Sequence, residues 1–560
     1  MKNKRINFCC SLILLSTIFS YSQSFIIIND KAFGGDRDDD FEQALQIGIN
    51  EIILAGYSRT DLNGDKTEGL CNLSLNQESD LWLLKLDTSL AVLWDKDIGG
   101  DKADYYAQPF CFPLTKQILL VSTSVSDSAC HKITHNKSFP NTPGYSDYWL
   151  CLLDSTGNRI WDKTLGTTNI ESGARVIQLT SGELVLAGTS NGGIDGDKTV
   201  FGFGYTDYWL VKLDLQGNKI WDKVYGGSAL EYAIGGFHFW NFSLLATTDG
   251  GMIFAGSTTS PQSGNISQPS LGVIDVWLVK LDSTGTIQWD KRYGGTLGNQ
   301  ANKIISTQDG GYLIAASTNS PQGGDISEPP RGVGADIWLL KVDSVGNKQW
   351  DKRYGGNGKE VANYISSTID GGYLISGTTS SDSSGEVSEP SYSSNQFDYW
   401  IIKVDSIGNK LWDKRFGGPG QDYGANFIIQ PDSSIFLFGT ADSGTSAVKT
   451  DAGKGKRDYW MVHFKYVDSV TTAINEKAKT ELACIIAPNP TTGMATITIT
   501  SSKSVEPYHL LLWDITGKEL FQQNFKGNTD LDLRTYKKGI YIVEIRDQQG
   551  NNTRKKLVKI

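Results

Sequence analysis

The octapeptide QWDKRYGG occupies residues 288–295 and again residues 349–356. An active site is assembled once per domain, whereas stacked structural copies present the same packing surface at every step, so the repetition points to architecture. The Asp-Lys pair followed by glycine recurs at Asp30, Asp95, Asp162, Asp222, Asp290, Asp351 and Asp413, with Trp before the Asp in all but the first. A second signature, Asp-x-Trp followed by apolar residues, recurs at Trp82, Trp149, Trp209, Trp277, Trp338, Trp400 and Trp460. Both series have seven members.

Each copy contains four strand-like pieces, called a to d here. Around residues 336–380 they read DIWLLKVD (a), KQWDKRYG (b), VANYISST (c) and GGYLISGT (d), separated by the Gly-containing turns SVGN, GNGK and IDGG. Short turns imply that these four form one antiparallel sheet, apolar on both faces and therefore covered by its neighbours. The array begins with a b piece that lacks its a (SFIIINDKAFGG, 24–35) and ends with an a piece that lacks its b (DYWMVHFKYVD, 458–468). Each end completes the other if the last a pairs with the first b, c and d, which predicts an all-β fold: a seven-bladed β-propeller closed by its own termini. The Trp and Tyr of QWDKRYG are then fasteners filling the gap to the next blade, a buried Trp contributing roughly 2–4 kcal/mol. The Asp before each strand-a Trp reads as an acceptor for loop amides. The long d-to-a loops, rich in Ser, Gly, Asn and Pro, gather with the Gly-Gly turns on one rim, the usual place for binding specificity.

Residues 1–22 carry Lys2, Lys4 and Arg5, an apolar run and small residues at the end, the pattern of a signal peptide. Its removal takes the net charge from −10 to about −13, a balance that disfavours nucleic acid. No later stretch is long and apolar enough for a membrane span. Cys71, Cys111, Cys130, Cys151 and Cys484 remain; an odd number allows at most two internal bridges, and spacing alone assigns no pairing.

After a polar linker at 469–484 comes a second unit, 485–560, an expected small Ig-like β-sandwich. Its marks are PNPTTG (488–493), LLLWDITGKEL (510–520), LRTYKKGIYIVEI (533–545) and a terminal KKLVKI. In this order they resemble the type A C-terminal sorting domain of the type IX secretion system of Gram-negative bacteria. The resemblance implies Sec export through the periplasm, engagement of the type IX machinery by residues 485–560, passage across the outer membrane, and release or attachment at the cell surface. The propeller repeats, from 24 to 468, resemble those of other sorting-domain proteins and bring no activity with them.

Chemistry is sparse. GTSNG (188–192) matches Gly-x-Ser-x-Gly, but Ser190 leaves a strand into a long loop rather than a helix. Cys130, His131 and His135 sit near one another without the fourth ligand or second shell that zinc wants. Calcium is better motivated: Asp61, Asn63 and Asp65 alternate as oxygen ligands do, and Asp195 and Asp197 offer a second pair. Other loops keep an oxygen side chain after the same Gly: Asn265, Asp325 and Glu386. Asn72 stands where an EF-hand needs its twelfth-position ligand, and Asx turns explain the same residues without metal. No other cofactor and no catalytic set is indicated. The expected function is a secreted or surface-displayed binding or structural module that recognises a glycan or another extracellular macromolecule through one loop-rich face. The alternative is an extracellular hydrolase of polysaccharide or peptide with its site at the channel mouth.

Overall fold

In the computed structural model, which describes residues 24–71, 78–137, 145–231, 242–467, 484–500, 506–514, 518–548 and 552–559, the long regular elements are all β-strands. The segment 1–22 and nearly all of 469–484 lie outside the described residues. The chain divides after Asp468 into two units.

The first unit is a propeller-like series of seven four-stranded sheets. A typical one contains Asn299–Ser306, Tyr312–Thr318, Asp336–Val342 and Lys348–Tyr354, in the order c, d, a, b. This corrects the expected grouping. Strands a and b of one sequence copy finish a sheet, and c and d begin the next, so the Gly-Gly segment crosses between sheets while the long d-to-a loop closes a hairpin within one. The physical reason is burial. Strands d and a are buried along their whole length and take the two central places, whereas c and b alternate buried and accessible residues and take the edges.

The termini meet: Ser24–Phe33 pairs antiparallel with Asp458–Val467, from Ser24 opposite Val467 to Phe33 opposite Tyr459. The sheet they complete contains Asp422–Ile429 and Ser434–Ala441, the last c and d rather than the first. Consecutive sheets are also joined backbone to backbone. The N–H that opens each c strand donates to the carbonyl of the residue before strand a in the preceding sheet, as from Asp104 to Ser79 at 2.7 Å and from Glu360 to Ala335 at 2.7 Å. The same bond joins first and last sheets, from Asp39 to Arg457 at 2.8 Å.

The seven strand-a tryptophans are fully buried, and each indole N–H donates to the Asp of the adjacent b strand at 2.9–3.4 Å. A buried indole without an acceptor would be left with an unsatisfied donor, so the Asp must recur wherever the Trp does. That Asp also accepts a loop amide, as Asp351 does from Ser327 at 3.0 Å. The b-strand tryptophans sit on the outer edge and, except for Trp412, are only half-buried, against the expectation of full burial. They still bridge sheets: Trp350 lies beneath Gly408 in the a-to-b turn of the next sheet, where a Cβ would stand 2.9 Å from the ring. The Tyr of the motif reaches the same turn, Tyr225 donating to the Gly285 carbonyl at 2.5 Å and Tyr354 to that of Gly408.

Cys71 and Cys130 form a disulfide with Cα atoms 6.0 Å apart, tying the d-to-a loops of the first two sheets across 59 residues. By loop entropy such a bridge contributes about 4 kcal/mol. Cys151 and Cys484 are buried free thiols and Cys111 is half-buried. The second unit stacks a three-stranded sheet (Cys484–Ala487, Met494–Ile499, Thr529–Asp532) on a four-stranded one (Glu519–Phe525, Tyr508–Asp514, Gly539–Arg546, Asn552–Lys559). Ile497, Leu510, Val543 and Leu557 share its core.

Candidate functional site

Most charges on the loop-bearing side serve the repeat. The Asp that opens each a strand accepts loop amides as expected, for example from Phe203 to Asp207 at 2.7 Å and from Leu271 to Asp275 at 2.9 Å. Burial of that carboxylate demands one cation, and each sheet supplies one from either of two sequence positions. Lys66, Lys132, Lys198 and Lys449 come from the d-to-a loop; where the loop has Ile266, Ile326 or Val387 instead, Arg292, Arg353 and Arg415 come from strand b. All seven are buried. The two solutions place the charge in the same spot. Lys198 donates to the Ser190 hydroxyl at 3.2 Å and the Gly192 carbonyl at 2.8 Å; Arg353 donates to the carbonyl of Ser320, which stands at Gly192's place, at 2.8 Å and to the backbone carbonyl of Thr318, which stands at Ser190's place, at 3.4 Å.

The residues singled out from calcium-like spacing have similar duties. Asp65 accepts from the Gly34 N–H at 3.0 Å and returns its own N–H to the Gly34 carbonyl at 2.9 Å; Asp197 clamps Gly166 at 3.1 and 2.8 Å. Asn265, Asp325 and Glu386 repeat this clamp at Gly226, Gly294 and Gly355. Gly64 must precede Asp65 because its φ is 65° and a Cβ would stand 2.1 Å from the Gly34 carbonyl oxygen. Asp61 accepts from Leu70 N–H at 3.2 Å, Asp195 from the amide and hydroxyl of Thr168 at 2.8 Å each, and the Asn63 carbonyl from Lys66 N–H at 3.1 Å. Among the described residues no group of three or more His, Cys, Asp or Glu side chains is placed to hold a metal ion. Cys130 is consumed by the disulfide, His135 bonds Asp127 at 2.8 Å, and the Ser190 hydroxyl donates to Glu171 at 2.6 Å, which leaves neither a zinc set nor a nucleophile elbow.

Among the described residues, one cluster has no counterpart elsewhere in the array. Where first and last sheets meet, Arg457 forms ion pairs with Asp40 at 2.8 Å and Asp38 at 3.0 Å and donates to the Tyr423 hydroxyl at 2.8 Å. Arg59 reaches Asp38 at 3.2 Å, and the Tyr57 ring packs edge-on against Tyr105 at 5.9 Å. Side-chain exposure rises from 2% at Asp40 through 16% at Arg457 to 32% at Arg59, so the cluster runs from floor to rim. Register makes the singularity plain. Tyr57 stands opposite Asp40; at Tyr57's place the other sheets have Thr123, Thr189, Ser257, Ser317, Thr378 and Thr440. At Arg457's place they have Ser79, Ser146, Thr206, Ile274, Ala335 and Phe397. Beside the cluster Tyr106 holds φ at 62°, a conformation that Gly173 and Gly424 take in the same strand of other sheets. Sequence reading missed these residues; a comparison of the seven copies for their differences, rather than their identities, finds them.

Electrostatics separates the acids. The Arg457 guanidinium holds Asp38 below the usual carboxylate range, whereas burial pushes Glu42, on the strand Asp39–Gln46 that follows, up to about 8. Burial, reinforced by the charge of Asp40, pushes the Tyr423 phenol to about 12, and burial raises Tyr57 as well. Arg59, Asp38 and Arg457 reach solvent at the rim above the buried Tyr57, Tyr423 and Asp40, and these exposed charged groups can hydrogen-bond hydroxyl-rich ligands.

Residues 485–560 match the family model for the secretion system C-terminal sorting domain. The chain is 22% identical over 192 residues to the regulatory protein FlaEY of Caulobacter vibrioides, covering 33% of this chain and 20% of that protein. It is 23% identical over 159 residues to an endo-acting ulvan lyase of Formosa agariphila, covering 27% and 28%. The chain thus spans less than a third of the length of either relative. A solved ulvan lyase structure superposes with a TM-score of 0.42 at 10% identity, over 73% of this chain and 93% of that one. Among the described residues no helix is long and apolar enough to cross a membrane. The sorting domain marks the chain as one secreted through the type IX system to the cell surface or extracellular space.

Proposed function

We propose that residues 24–467 form a seven-bladed β-propeller closed by its own termini, acting outside the cell as a binding or structural module that recognises a glycan or another extracellular macromolecule through its loop-bearing face. The ladder between Ser24–Phe33 and Asp458–Val467 and the Asp39-to-Arg457 backbone bond support closure. The observation that carries the binding reading is the Arg457–Asp38–Asp40 cluster with Tyr57 and Arg59: in an array that repeats its structural residues seven times, it breaks the repeat on the rim. Arg59→Asn installs what the third and fifth sheets carry at that place, Asn191 and Asn319, on a side chain that is 32% exposed, so it should keep the melting temperature and abolish retention on a glycan array. Unchanged retention refutes the site.

A second reading is the extracellular hydrolase of polysaccharide or peptide. It is favoured by the split between Glu42, largely protonated at neutral pH, and Asp38, held ionised, because acid–base cleavage uses one carboxyl in each state. Release of oligosaccharides from a retained polymer distinguishes it from simple binding.

A further inference from the structure

The c strands of successive sheets adjoin one another, and the c strand of the first sheet adjoins that of the last. In the closed propeller on which this inference rests, they line the axial lumen. Arg175, Lys303 and Tyr364 occupy one register position on the third, fifth and sixth sheets, opposite Ala187, Ala315 and Ser376. Glu42 lies at the equivalent level of the first sheet, next to Gln43 opposite Ala55. The charge of Arg175 acts on both Glu42 and Lys303, although no two of these three sit on adjacent sheets. Side chains from the first, third and fifth sheets can sense one another only across the axis. All three retain partial access to solvent, as a lumen requires and a core does not.

The balance of charge is positive. Burial raises Glu42 to about 8, so its carboxyl is mostly neutral at pH 7, and Arg175 stays charged although burial lowers its pKa. Lys303, brought down to about 8 by burial and then by Arg175, is still mostly protonated at pH 7. Among the described residues neither cation has a carboxylate within ion-pair distance. The one close polar contact of the Arg175 head group is its Nη1 donating to the Ala174 carbonyl at 3.4 Å, and the Lys303 ammonium lies 5.3 Å from the Tyr364 ring centre. Tyr364 in turn packs edge-on against Phe427 at 5.1 Å. Two cations without counter-ions beside an aromatic wall are costly to keep unless an anion visits them. The acidic exterior does not cancel this, because charges more than about 8 Å away are screened at physiological salt.

We propose that the lumen holds an oxyanion-binding site in which Arg175 and Lys303 grip the carboxylate or sulfate of an acidic saccharide, with Tyr364 and Phe427 as its apolar wall. The test titrates the full chain with three oligosaccharide probes: an oligogalacturonate, a sulfated galactan fragment and a neutral β-glucan fragment. At least one acidic probe should bind tenfold or more tighter than the neutral one, and which acidic probe wins identifies carboxylate or sulfate as the group recognised. Arg175→Met and Lys303→Met should each weaken that binding at least tenfold with an unchanged melting temperature. If a variant fails to fold, the wild-type pH profile serves instead. Affinity should fall as pH rises through about 8, where Lys303 loses its charge and Glu42 gains one, with Arg175, Tyr364 and Asp40 as the neighbouring groups that set the midpoint. Equal affinity for acidic and neutral probes, unchanged affinity in both variants, or a flat profile from pH 6 to about 9.5 overturns the lumen site while leaving glycan recognition at the rim intact. Retention of none of the three probes overturns both.

Discussion

The indole N–H of Trp460 donates to the Asp30 carboxylate at 3.1 Å across 430 residues of chain. The same carboxylate accepts the backbone N–H groups of Thr450 at 2.8 Å and Asp451 at 3.2 Å. The six other sheets make the equivalent Trp–Asp bond within one hairpin; here it spans the two ends of the array.

Asp30→Ala should therefore cost about 2–3 kcal/mol, because it leaves a buried indole and loop amides without an acceptor. Deletion of residues 24–33 should lower the melting temperature far more, since the last sheet loses a strand. An unchanged melt in calorimetry for the deletion counts against closure by the termini.

The alternation of buried cations gives a reciprocal test. Lys198→Ile should cost about 3–5 kcal/mol by leaving the acids of its sheet uncompensated, and Val224→Arg alone should also destabilise by adding a second cation. Together they install the Ile326 and Arg353 arrangement of the fifth sheet and should recover most of the loss. Additive losses in a double-mutant cycle refute the equivalence of the two positions.

Burial raises Asp104 and Asp422 to about 7 and Asp398 to about 8. A carboxyl with a raised folded-state pKa stabilises the fold fully below its unfolded value near 4 and loses that contribution as pH rises through the folded value. Asp249, Asp309 and Asp370, held at about 2 with Lys280, Lys341 and Lys403 beside them, lose theirs as pH falls from about 4 toward 2. Thermal stability should thus peak at about pH 4 and decline toward pH 8. Asp422→Asn, which copies Asn299 of the fifth sheet, should flatten the alkaline side; an identical profile excludes Asp422 as a source.

A chelator tests the calcium reading of Asp61, Asn63, Asp65, Asp195 and Asp197. The four carboxylates already accept N–H or O–H groups, so thermal melts with and without chelator should coincide. A chelator-dependent drop restores calcium to these loops.

Removal of residues 485–560 should strand the chain in the periplasm, as seen by fractionation of the host. Continued appearance of the truncated chain outside the cell contradicts the sorting role of this unit.

The sequence by itself determined the seven copies, the all-β character, the end-to-end complementarity of SFIIINDKAF and DYWMVHFKYV, and the sorting unit. These are local patterns of strand, turn and motif, which a chain states wherever they occur. It did not determine which four strands share a sheet: turn length misled there, while the continuous apolar runs of strands d and a already marked the central positions. Only the tertiary structure decided which sheets neighbour one another, and hence that Arg457 lies against Asp38 and Asp40 and that the charge of Arg175 acts on Glu42 and Lys303. Those encounters join residues from separate copies, and their strength depends on distance and burial, which exist only once the sheets are packed.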